Sequence, residues 1–507
     1  MASSVYDGAD LELGWSDHGS VAGSVNRGSV RRSVAGLLSR FASGDTACLE
    51  RGDSAAKRQR HLGCRASQGV LEDIGKEMLV RATDAFRLAL FANPKLRSGC
   101  KVCVATACSG TGVDLLGMTA CMAAAHEVFE DIDMQIEHLW SCEIVGWKQD
   151  FLIASHNVPH VFRDITQLSG SSAHDVVTDA EVIIPRVDIL IAGFSCKDLS
   201  DLNNHSAEGG INGDGSTGRT FQGVVNNVER HRPQIVLMEN VYNIAKQADD
   251  SERDDIVGAK TDSIRQQFAE LGYIVHFHKT NARDGGLPQS RPRVYIICYR
   301  LCVDEALASL QSAVQHALCD TLDALYDGLG VPDLRPIDDF LDDDVDDGAV
   351  RVQTEGNSSC WEIEHSRIFA EHSLEWPVAS EVLAATMGTV HYNRREAELV
   401  FLFDSLRPLT DADPEEAIDV NMSMKFLNPT RKTAVVPVSC CLLPSGKIFL
   451  RKRRRYLRGR EALRIQGLFC NGEVLASFND RQLHDLAGNA FSAGSFMSSF
   501  FVVLASL

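Results

Sequence analysis

Two reactive side chains each follow an apolar run that is typical of a buried strand. Cys196 comes shortly after the run 187–192, and Glu239 comes directly after the run 234–238. In an open parallel sheet, ligands bind outside the carboxyl ends of the strands. A thiol and a carboxylic acid brought to that edge could act together on one substrate. A nucleophile beside an acid is what attack on an electron-poor heterocycle requires.

Both side chains also have an ordinary structural interpretation. A cysteine in an apolar segment is usually a buried structural thiol, and a glutamate at a strand end is often paired with an arginine, here Arg291 or Arg293. Lys197 would favour the thiolate form of Cys196. Partial burial would raise the pKa of Glu239, which suits a group that hands a proton to a ring nitrogen. We therefore interpret Cys196 as a nucleophile and Glu239 as its acid partner.

Arg291 and Arg293 form an Arg-x-Arg segment at the start of the last apolar run of this region. Residues two apart in an extended segment point to the same side. The two guanidinium groups could therefore hold a base carbonyl and a phosphate. A surface ion pair, the commoner fate of such a segment, is the alternative.

A glycine-containing turn follows the first predicted strand and consists of Ser109, Gly110, Thr111 and Gly112. Such a turn before a first helix lets a nucleotide-like ligand approach the backbone closely, although one Gly-x-Gly is about as often a simple tight turn. Glu143 ends the second strand and could accept hydrogen bonds from two ribose hydroxyls. Asp164 lies past the third strand and could meet an adenine amino group. Together these residues indicate an adenosine site.

Strand and helix periodicities alternate between residues 101 and 300, which predicts parallel pairing and a doubly wound α/β sheet. The last two strands are separated by a Gly-rich loop, so we expect them to pair antiparallel. Apolar residues at helical spacing predict a helix over 70–92. The predicted strands are 101–107, 136–142, 187–192, 234–238, 273–278 and 294–299, and the predicted helices are 113–126, 146–156, 220–230 and 262–271.

Composition divides the chain into further segments. Residues 1–66 are rich in Ser, Gly and Arg and are expected to be disordered. Seven Asp within 338–347 indicate a solvated acidic loop. The stretch 349–450 resembles a smaller domain, and 451–464 carries eight basic residues against Glu461 alone. We expect that run to form a positive patch that attracts phosphates.

Bulk properties exclude some classes of protein. The net charge of −19 argues against coating nucleic acid through bulk charge, but it leaves room for a local basic groove. Fifteen cysteines without a regular framework indicate free thiols in a reducing compartment. The apolar end 496–507 is too short to cross a bilayer, so no membrane partner is expected. Cys100 and Cys103 lack a second pair nearby, and we predict no metal site.

These motifs and their order resemble the cytosine-C5 methyltransferases over roughly 100–345 and 450–500. The turn at 109–112 resembles the family's S-adenosylmethionine loop, and Gly193-Phe194-Ser195-Cys196 resembles its Gly-Phe-Pro-Cys nucleophile loop. Glu239-Asn240-Val241 and Gln289-x-Arg291-x-Arg293 match two further motifs outright. Arg460-Glu461, Arg464-Ile465-Gln466-Gly467 and Gly488-Asn489-Ala490 resemble the closing motifs.

The resemblance implies a Rossmann-like S-adenosylmethionine-dependent methyltransferase sheet with a smaller target-recognition domain. It assigns 67–97 to a helical lead-in, 98–348 to the catalytic domain, 349–450 to target recognition and 451–507 to a basic segment with a return to the catalytic domain. The implied catalytic residues are Cys196, Glu239, Arg291 and Arg293. The implied cofactor-binding residues are Ser109, Gly110, Thr111, Gly112, Glu143, Asp164 and Asn489.

Four departures from the family pattern affect loop rigidity and cofactor affinity. Ser195 replaces the proline before the nucleophile, and Lys197 replaces the usual glutamine after it. Cys108 stands where a phenylalanine usually contacts adenine, and Val113 replaces a glycine. The nucleophile and the acid are unchanged.

Three functions remain open from the sequence. The resemblance favours methylation of a flipped cytosine in double-stranded DNA through a covalent Cys196 adduct. Methylation of transfer RNA, as in one branch of the family, is the second. A non-catalytic scaffold that binds DNA or S-adenosylmethionine is the third. The basic clusters 57–60 and 451–455 favour a nuclear location.

Overall fold

A computed structural model describes residues 67, 69–97, 99–129, 131–197, 210–245, 254–301, 311–343, 361–376, 387, 392–421 and 438–507, with backbone only at 254–259 and 311–313. The predicted extension 1–66 and its basic cluster 57–60 lie outside these residues, as do parts of the acidic run and of the segment 349–450.

A large mixed sheet is the centre of the described structure. Its strands are β1 (Lys101–Ala107), β2 (Gln135–Cys142), β3 (Val161–Phe162), β4 (Ser172–Asp175), β5 (Ala180–Ile183), β6 (Ile189–Ala192), β7 (Ile235–Val241), β8 (Tyr273–Asn281) and β9 (Pro292–Arg300). The described strands follow the order β5-β4-β3-β2-β1-β6-β7-β9-β8. The block from β3 to β7 is parallel, whereas β9 pairs antiparallel with β7 and β8.

Helices cover both faces of this sheet, and two further helices pack around a separate small core. They are α1 (Gly69–Val80), α2 (Asp84–Ala92), α3 (Val113–Val128), α4 (Gly146–His156), α5 (Ser216–His231), α6 (Asp254–Glu270), α7 (Gln311–Gly328), α8 (Trp361–Glu371), α9 (Arg394–Leu406), α10 (Gly459–Ile465), α11 (Gly472–Leu475), α12 (Asp480–Asn489) and α13 (Ala493–Ser506). The doubly wound α/β prediction is confirmed, and so is the antiparallel pairing of the last two strands.

Two predictions about local structure need correction. The single helix expected over 70–92 is two helices, because Thr83 stops α1 and caps α2 by accepting a hydrogen bond from Phe86 N. The hairpin of β4 and β5 was missed because its strands are short and partly polar. Asp175 is fully buried there and accepts a hydrogen bond from Val161 N at 2.9 Å.

A second, three-stranded antiparallel sheet contains β10 (Ala417–Asp419), β11 (Ile448–Leu450) and β12 (Arg455–Tyr456). It packs with α8 and α9 around a separate small core that includes Phe369, Phe403 and Phe449. The predicted division between residues 450 and 451 therefore lies inside this sheet.

The basic run 451–464 is not the free positive patch that we expected. Asp342 is almost fully buried and forms ion pairs with three of its arginines, and Glu415 and Glu461 are fully buried against others. A charged side chain is stable in a buried position only when it is paired, and the acidic run supplies some of the carboxylates that pair with these arginines. The pairs of Asp342 are with Arg458 (3.4 Å), Arg460 (2.6 Å) and Arg464 (2.9 Å).

The acidic run is accordingly not a purely solvated loop. Asp338 pairs with Arg453 at 2.6 Å, and Asp342 is only 1% exposed. Asp338 and Asp342 of the acidic run together pair with four of these arginines, and other partners of the basic run are Asp404, Glu415, Glu416 and Glu461. We therefore no longer assign phosphate binding to 451–464.

The C-terminal helices lie in the core. The stretch Asp480–Ser506 is long and apolar enough for a membrane span by composition, but 83% of its most apolar window is buried inside the protein. Phe496, Phe500 and Phe501 of α13 are fully buried. Core packing explains the apolar character of this segment.

Candidate functional site

The reactive residues meet at one edge of the large sheet because their strands are neighbours. The register pairs Ala107 with Ala192 and Ala192 with Met238, so β1, β6 and β7 end side by side. The glycine turn follows β1, Cys196 follows β6, and Glu239 lies one residue past the β6 pairing on β7. The topology thus brings the predicted nucleophile, acid and cofactor turn to one edge.

Glu239 lies in a nearly dry position beside an arginine. Its Oε1 is 2.9 Å from Nε of Arg293, and each side chain is 11% exposed. Burial raises the pKa of Glu239 above its ordinary value, although the charges of Arg293 and Arg291 partly offset this. A carboxyl group with a raised pKa can hold a proton and deliver it, as the sequence predicted.

The loop of Cys196 is held by hydrogen bonds at the two preceding residues. Asn240 Nδ2 donates to Phe194 O at 3.0 Å, and Ser195 N donates to Thr220 Oγ1 at 3.1 Å. Proline has no N–H, so the residue that the family usually carries could not make the second bond. The hydrogen bond from Ser195 N therefore restrains the loop at the position where the family usually relies on the rigid ring of proline.

The Cys196 thiol is half-buried and lies within the field of the same charged groups. Burial raises its pKa, Arg293 and Arg291 lower it, and Glu239 raises it. The bond from Asn240 to Phe194 O ties this loop to the residue that follows Glu239, so the nucleophile and the acid belong to neighbouring segments at one edge of the sheet. The thiolate is the reactive form, so the reaction requires removal of this proton.

Arg291 is bonded to the backbone of the returning C-terminal chain. It is 3% exposed, and its guanidinium donates to Leu442 O (2.8 Å), Gly488 O (3.1 Å) and Ala490 O (2.8 Å). These bonds give Arg291 a positioning role at the start of β9, and its predicted contact with a base or a phosphate stays a prediction.

The two arginines nevertheless reach the same side of β9, as expected. Arg291 Nη1 and Arg293 Nη2 lie 3.6 Å and 4.0 Å from Cys441 Sγ. Cys441 was missed by sequence reasoning, because its segment carries no recognisable motif. It forms part of the wall beside Glu239.

The turn after β1 has the backbone shape of a ligand cradle. Cys108, Gly110 and Gly112 have φ values of 55°, 50° and 68°. Glu143 Oε2 accepts a hydrogen bond from Gly110 N at 2.9 Å. A Cβ added to Gly110 would come within 4 Å only of that carboxylate among the described atoms, at 4.0 Å. The space above Gly110 is therefore open to a ligand.

Gly112 is required for a different reason. A Cβ there would lie 2.6 Å from the His156 ring, whose Nε2 donates to Thr111 O at 2.8 Å. Ser109 shares a hydrogen bond with Thr106 between their hydroxyl oxygens, at 2.6 Å. The hydrogen bonds of Thr111 with α4 and of Ser109 with β1 thus fix the shape of the turn.

Asp164 and Cys108 complete the cofactor side. Asp164 Oδ1 accepts from Thr166 N at 2.9 Å, which orients its carboxylate. Burial raises the pKa of Cys108 to about 12, and the charges of Glu143 and Asp164 add to this. The contacts of Glu143 and Asp164 with an adenosine stay a prediction.

Asn489 is exposed at the end of α12 and bonds within its own helix. Its Nδ2 donates to Asp485 O at 2.8 Å, and Asp485 pairs with Lys148 of α4 at 2.6 Å. These contacts link α12 to the helix that follows Glu143. They leave the predicted cofactor contact of Asn489 untested.

Comparison with known proteins gives a consistent result. Residues 113–494 match the family model described as C-5 cytosine-specific DNA methylase. This range includes Cys196, Glu239 and both arginines.

Two fungal relatives and one bacterial relative illustrate the similarity. DNA (cytosine-5-)-methyltransferase DMT5 of Cryptococcus neoformans is 29% identical over 424 residues, 78% of this chain and 16% of its own. DMT5 of Verticillium dahliae is 22% identical over 472 residues, 78% of this chain and 19% of its own. Type II methyltransferase M.HhaI of Haemophilus parahaemolyticus is 34% identical over 126 residues, 25% of this chain and 35% of its own. The chain thus spans less than a fifth of the length of the two fungal relatives.

Proposed function

Because the chain belongs to the C-5 cytosine-specific DNA methylase family, we propose that it transfers a methyl group from S-adenosylmethionine to C5 of cytosine in DNA. One observation carries the proposal: Glu239, paired with Arg293 at 2.9 Å, precedes Asn240, which bonds to the loop of Cys196, at the strand edge that also holds the glycine turn. A nucleophile, a proton donor and a cation on one pyrimidine are what this chemistry needs.

Cys196 loses its proton to solvent and begins the reaction as a thiolate that adds to C6 of the ring. A bond forms between the sulfur and C6, and the electron pair of the C5–C6 double bond moves to C5. Glu239 gives its proton to N3 as negative charge develops there. Arg293 remains beside Glu239 and stabilises the charge on the O2 carbonyl. Bound S-adenosylmethionine supplies the electrophilic methyl group that C5 takes up.

The second half of the reaction restores the aromatic ring. A base removes the proton at C5. As the electron pair of that C–H bond re-forms the C5–C6 double bond, the bond between C6 and Cys196 breaks, and the sulfur leaves with its electron pair as the thiolate. Glu239 takes back the proton from N3, so the enzyme ends in its starting state.

The glycine turn and two carboxylates fit the cofactor. The open space above Gly110 admits a ligand close to the backbone. Glu143 borders that space and is suited to two ribose hydroxyls, and Asp164 is suited to an adenine amino group. Each oxygen of Glu143 already accepts one backbone N–H, from Gly110 and from Val145, and each keeps a second lone pair for the ribose.

The substrate cytosine must leave the DNA stack, since Cys196 and the methyl donor need access to C6 and C5. Unstacking costs a few kcal/mol. The separate core of α8, α9 and the small sheet is the candidate target-recognition region. Because the arginines of 451–464 are paired inside the chain, we assign DNA phosphate contacts to other surfaces.

Transfer of labelled methyl groups tests the proposal. The full chain is incubated with labelled S-adenosylmethionine and, in parallel, with double-stranded DNA or transfer RNA. We expect label at C5 of cytosine in DNA for the unaltered chain and for Cys100→Ser, an exposed cysteine, and none for Cys196→Ser. Label only in transfer RNA, or undiminished label with Cys196→Ser, would overturn the proposal.

A further inference from the structure

Three potential metal ligands meet away from the methyl-transfer residues. His276 and His278 lie two apart on β8, the edge strand of the large sheet, and therefore face the same side. Asp323 projects from α7, which packs on that side of β8. One ligand atom from each residue lies within 4.8 Å of the other two.

His276 is the strongest sign of an absent partner. Its side chain is 5% exposed, and its Nε2 lies 3.3 Å from Asp323 Oδ1. Even so, this nitrogen has no hydrogen-bond partner among the described residues, because the geometry of the approach is unsuitable. Buried polar atoms are nearly always satisfied. A ligand placed between the nitrogen and the carboxylate would satisfy both.

The second histidine is held in place for the same task. The His278 ring stacks on Tyr326 with ring centroids 3.4 Å apart and planes 5° from parallel. This stacking fixes the plane of the imidazole, a ring whose nitrogen is the commonest metal ligand in proteins.

The distances fit a transition metal. Zinc binds imidazole nitrogen and carboxylate oxygen at about 2.0–2.2 Å, which places neighbouring ligand atoms about 3.3–3.6 Å apart in a tetrahedron. The His276–Asp323 pair is already at 3.3 Å. All three ligand atoms lie within 4.8 Å of one another, and a side-chain rotation of the exposed Asp323 would shorten its distance to the fixed ring of His278. Two imidazoles and one carboxylate suit zinc better than magnesium or calcium, which prefer oxygen ligands.

We propose that His276, His278 and Asp323 bind one divalent transition-metal ion, with zinc as the best fit and water in the fourth position. The ion would clamp α7 to the edge of the sheet. It would also cover this part of an edge strand, and exposed edges are a liability for folded proteins. The site is independent of the methyl-transfer residues.

Metal titration of the purified full chain tests this proposal. The chain is treated with a chelator, dialysed, and titrated with zinc chloride in a calorimeter, and with cobalt chloride while visible absorption is recorded. We expect one equivalent of zinc, a higher unfolding temperature with zinc, and the cobalt spectrum of a tetrahedral site. Loss of a ligand should weaken binding more than about 100-fold, since loss of outer contacts alone costs 10–100-fold.

Asp323→Asn and His276→Phe are the informative variants. Asp323 is exposed, so Asp323→Asn should fold normally and lose zinc binding. His276→Phe removes an unsatisfied buried nitrogen, so it should unfold no more easily than the metal-free parent, while its response to zinc disappears. His174→Phe is the matched control, because His174 pairs with Asp179 at 3.2 Å on the surface without a third ligand.

The outcomes separate the alternatives. Retention of one tight equivalent of zinc in both site variants would overturn the proposal, and so would loss of binding in the His174→Phe control alone. Failure of the unaltered chain to bind zinc or cobalt would also overturn it.

Discussion

The same substitution should act mainly on stability at Arg291 and mainly on the methyl-transfer rate at Arg293. Methionine keeps much of the apolar length of arginine but removes the guanidinium. Arg291→Met would leave three buried carbonyls, those of Leu442, Gly488 and Ala490, without their donor. Each unsatisfied group costs about 1–3 kcal/mol. Because such costs are not additive, we expect a loss of about 4 kcal/mol in the free energy of unfolding, close to that for breaking a buried pair.

Arg293→Met should instead lower activity more than stability. Arg293 pairs with Glu239, and loss of the cation would leave a carboxyl that can take up a proton and avoid the cost of an unpaired buried charge. We expect a loss of about 1–2 kcal/mol in stability, as for a hydrogen bond to a charged group. The methyl-transfer rate should fall about 10²–10³-fold, the usual effect of removing one charge-stabilising donor.

Urea unfolding followed by fluorescence measures the first quantity, and labelled-methyl transfer under saturating DNA measures the second. Arg283→Met is the control, since Arg283 is 51% exposed and pairs with its exposed neighbour Asp284 at 3.5 Å. Equal losses of stability in Arg291→Met and Arg293→Met would refute the assignment of different roles. So would an unchanged methyl-transfer rate in Arg293→Met.

Two further predictions concern the thiol and the glycine turn. Glu239 raises the pKa of Cys196, so Glu239→Gln should lower the pH midpoint at which iodoacetamide alkylates Cys196. Peptide mass spectrometry measures the extent of alkylation. A shift of the midpoint to higher pH would contradict the inference that the carboxyl and the thiol lie close together. Gly110→Ala should weaken the binding of S-adenosylmethionine measured by calorimetry, and it should lower the free energy of unfolding by about 1 kcal/mol, the strain of a left-handed residue. Gly112→Ala should lower the unfolding temperature further, because its Cβ would strike the ring of His156. Equal unfolding temperatures for these two variants would contradict that distinction.

The sheet and the reactive pair could be predicted because their signals are local. Apolar runs of strand length predicted six strands, each of which the structure contains with small shifts at the ends. Strand order then brought Cys196 and Glu239 to one edge without any knowledge of long-range contacts.

The roles of the charged residues could not be predicted, because they depend on partners distant in sequence. Arg291 and Arg293 look equivalent in the chain, yet Arg291 bonds to carbonyls about 150–200 positions away. The basic run 451–464 looked free for the same reason, since its partner Asp342 lies more than 100 positions earlier. Ser195 looked like a loss of rigidity until Thr220 was seen to accept its N–H.

A covalent trap tests the central claim most directly, namely that Cys196 attacks a cytosine held by Glu239 and Arg293. Double-stranded DNA with 5-fluorocytosine at candidate sites is incubated with the full chain and S-adenosylmethionine, then resolved under denaturing conditions. Fluorine at C5 blocks the final loss of a proton, so the adduct between C6 and Cys196 should persist. We predict a DNA-linked band for the unaltered chain and none for Cys196→Ala; a band of equal intensity with Cys196→Ala, or no band with either, would contradict the account.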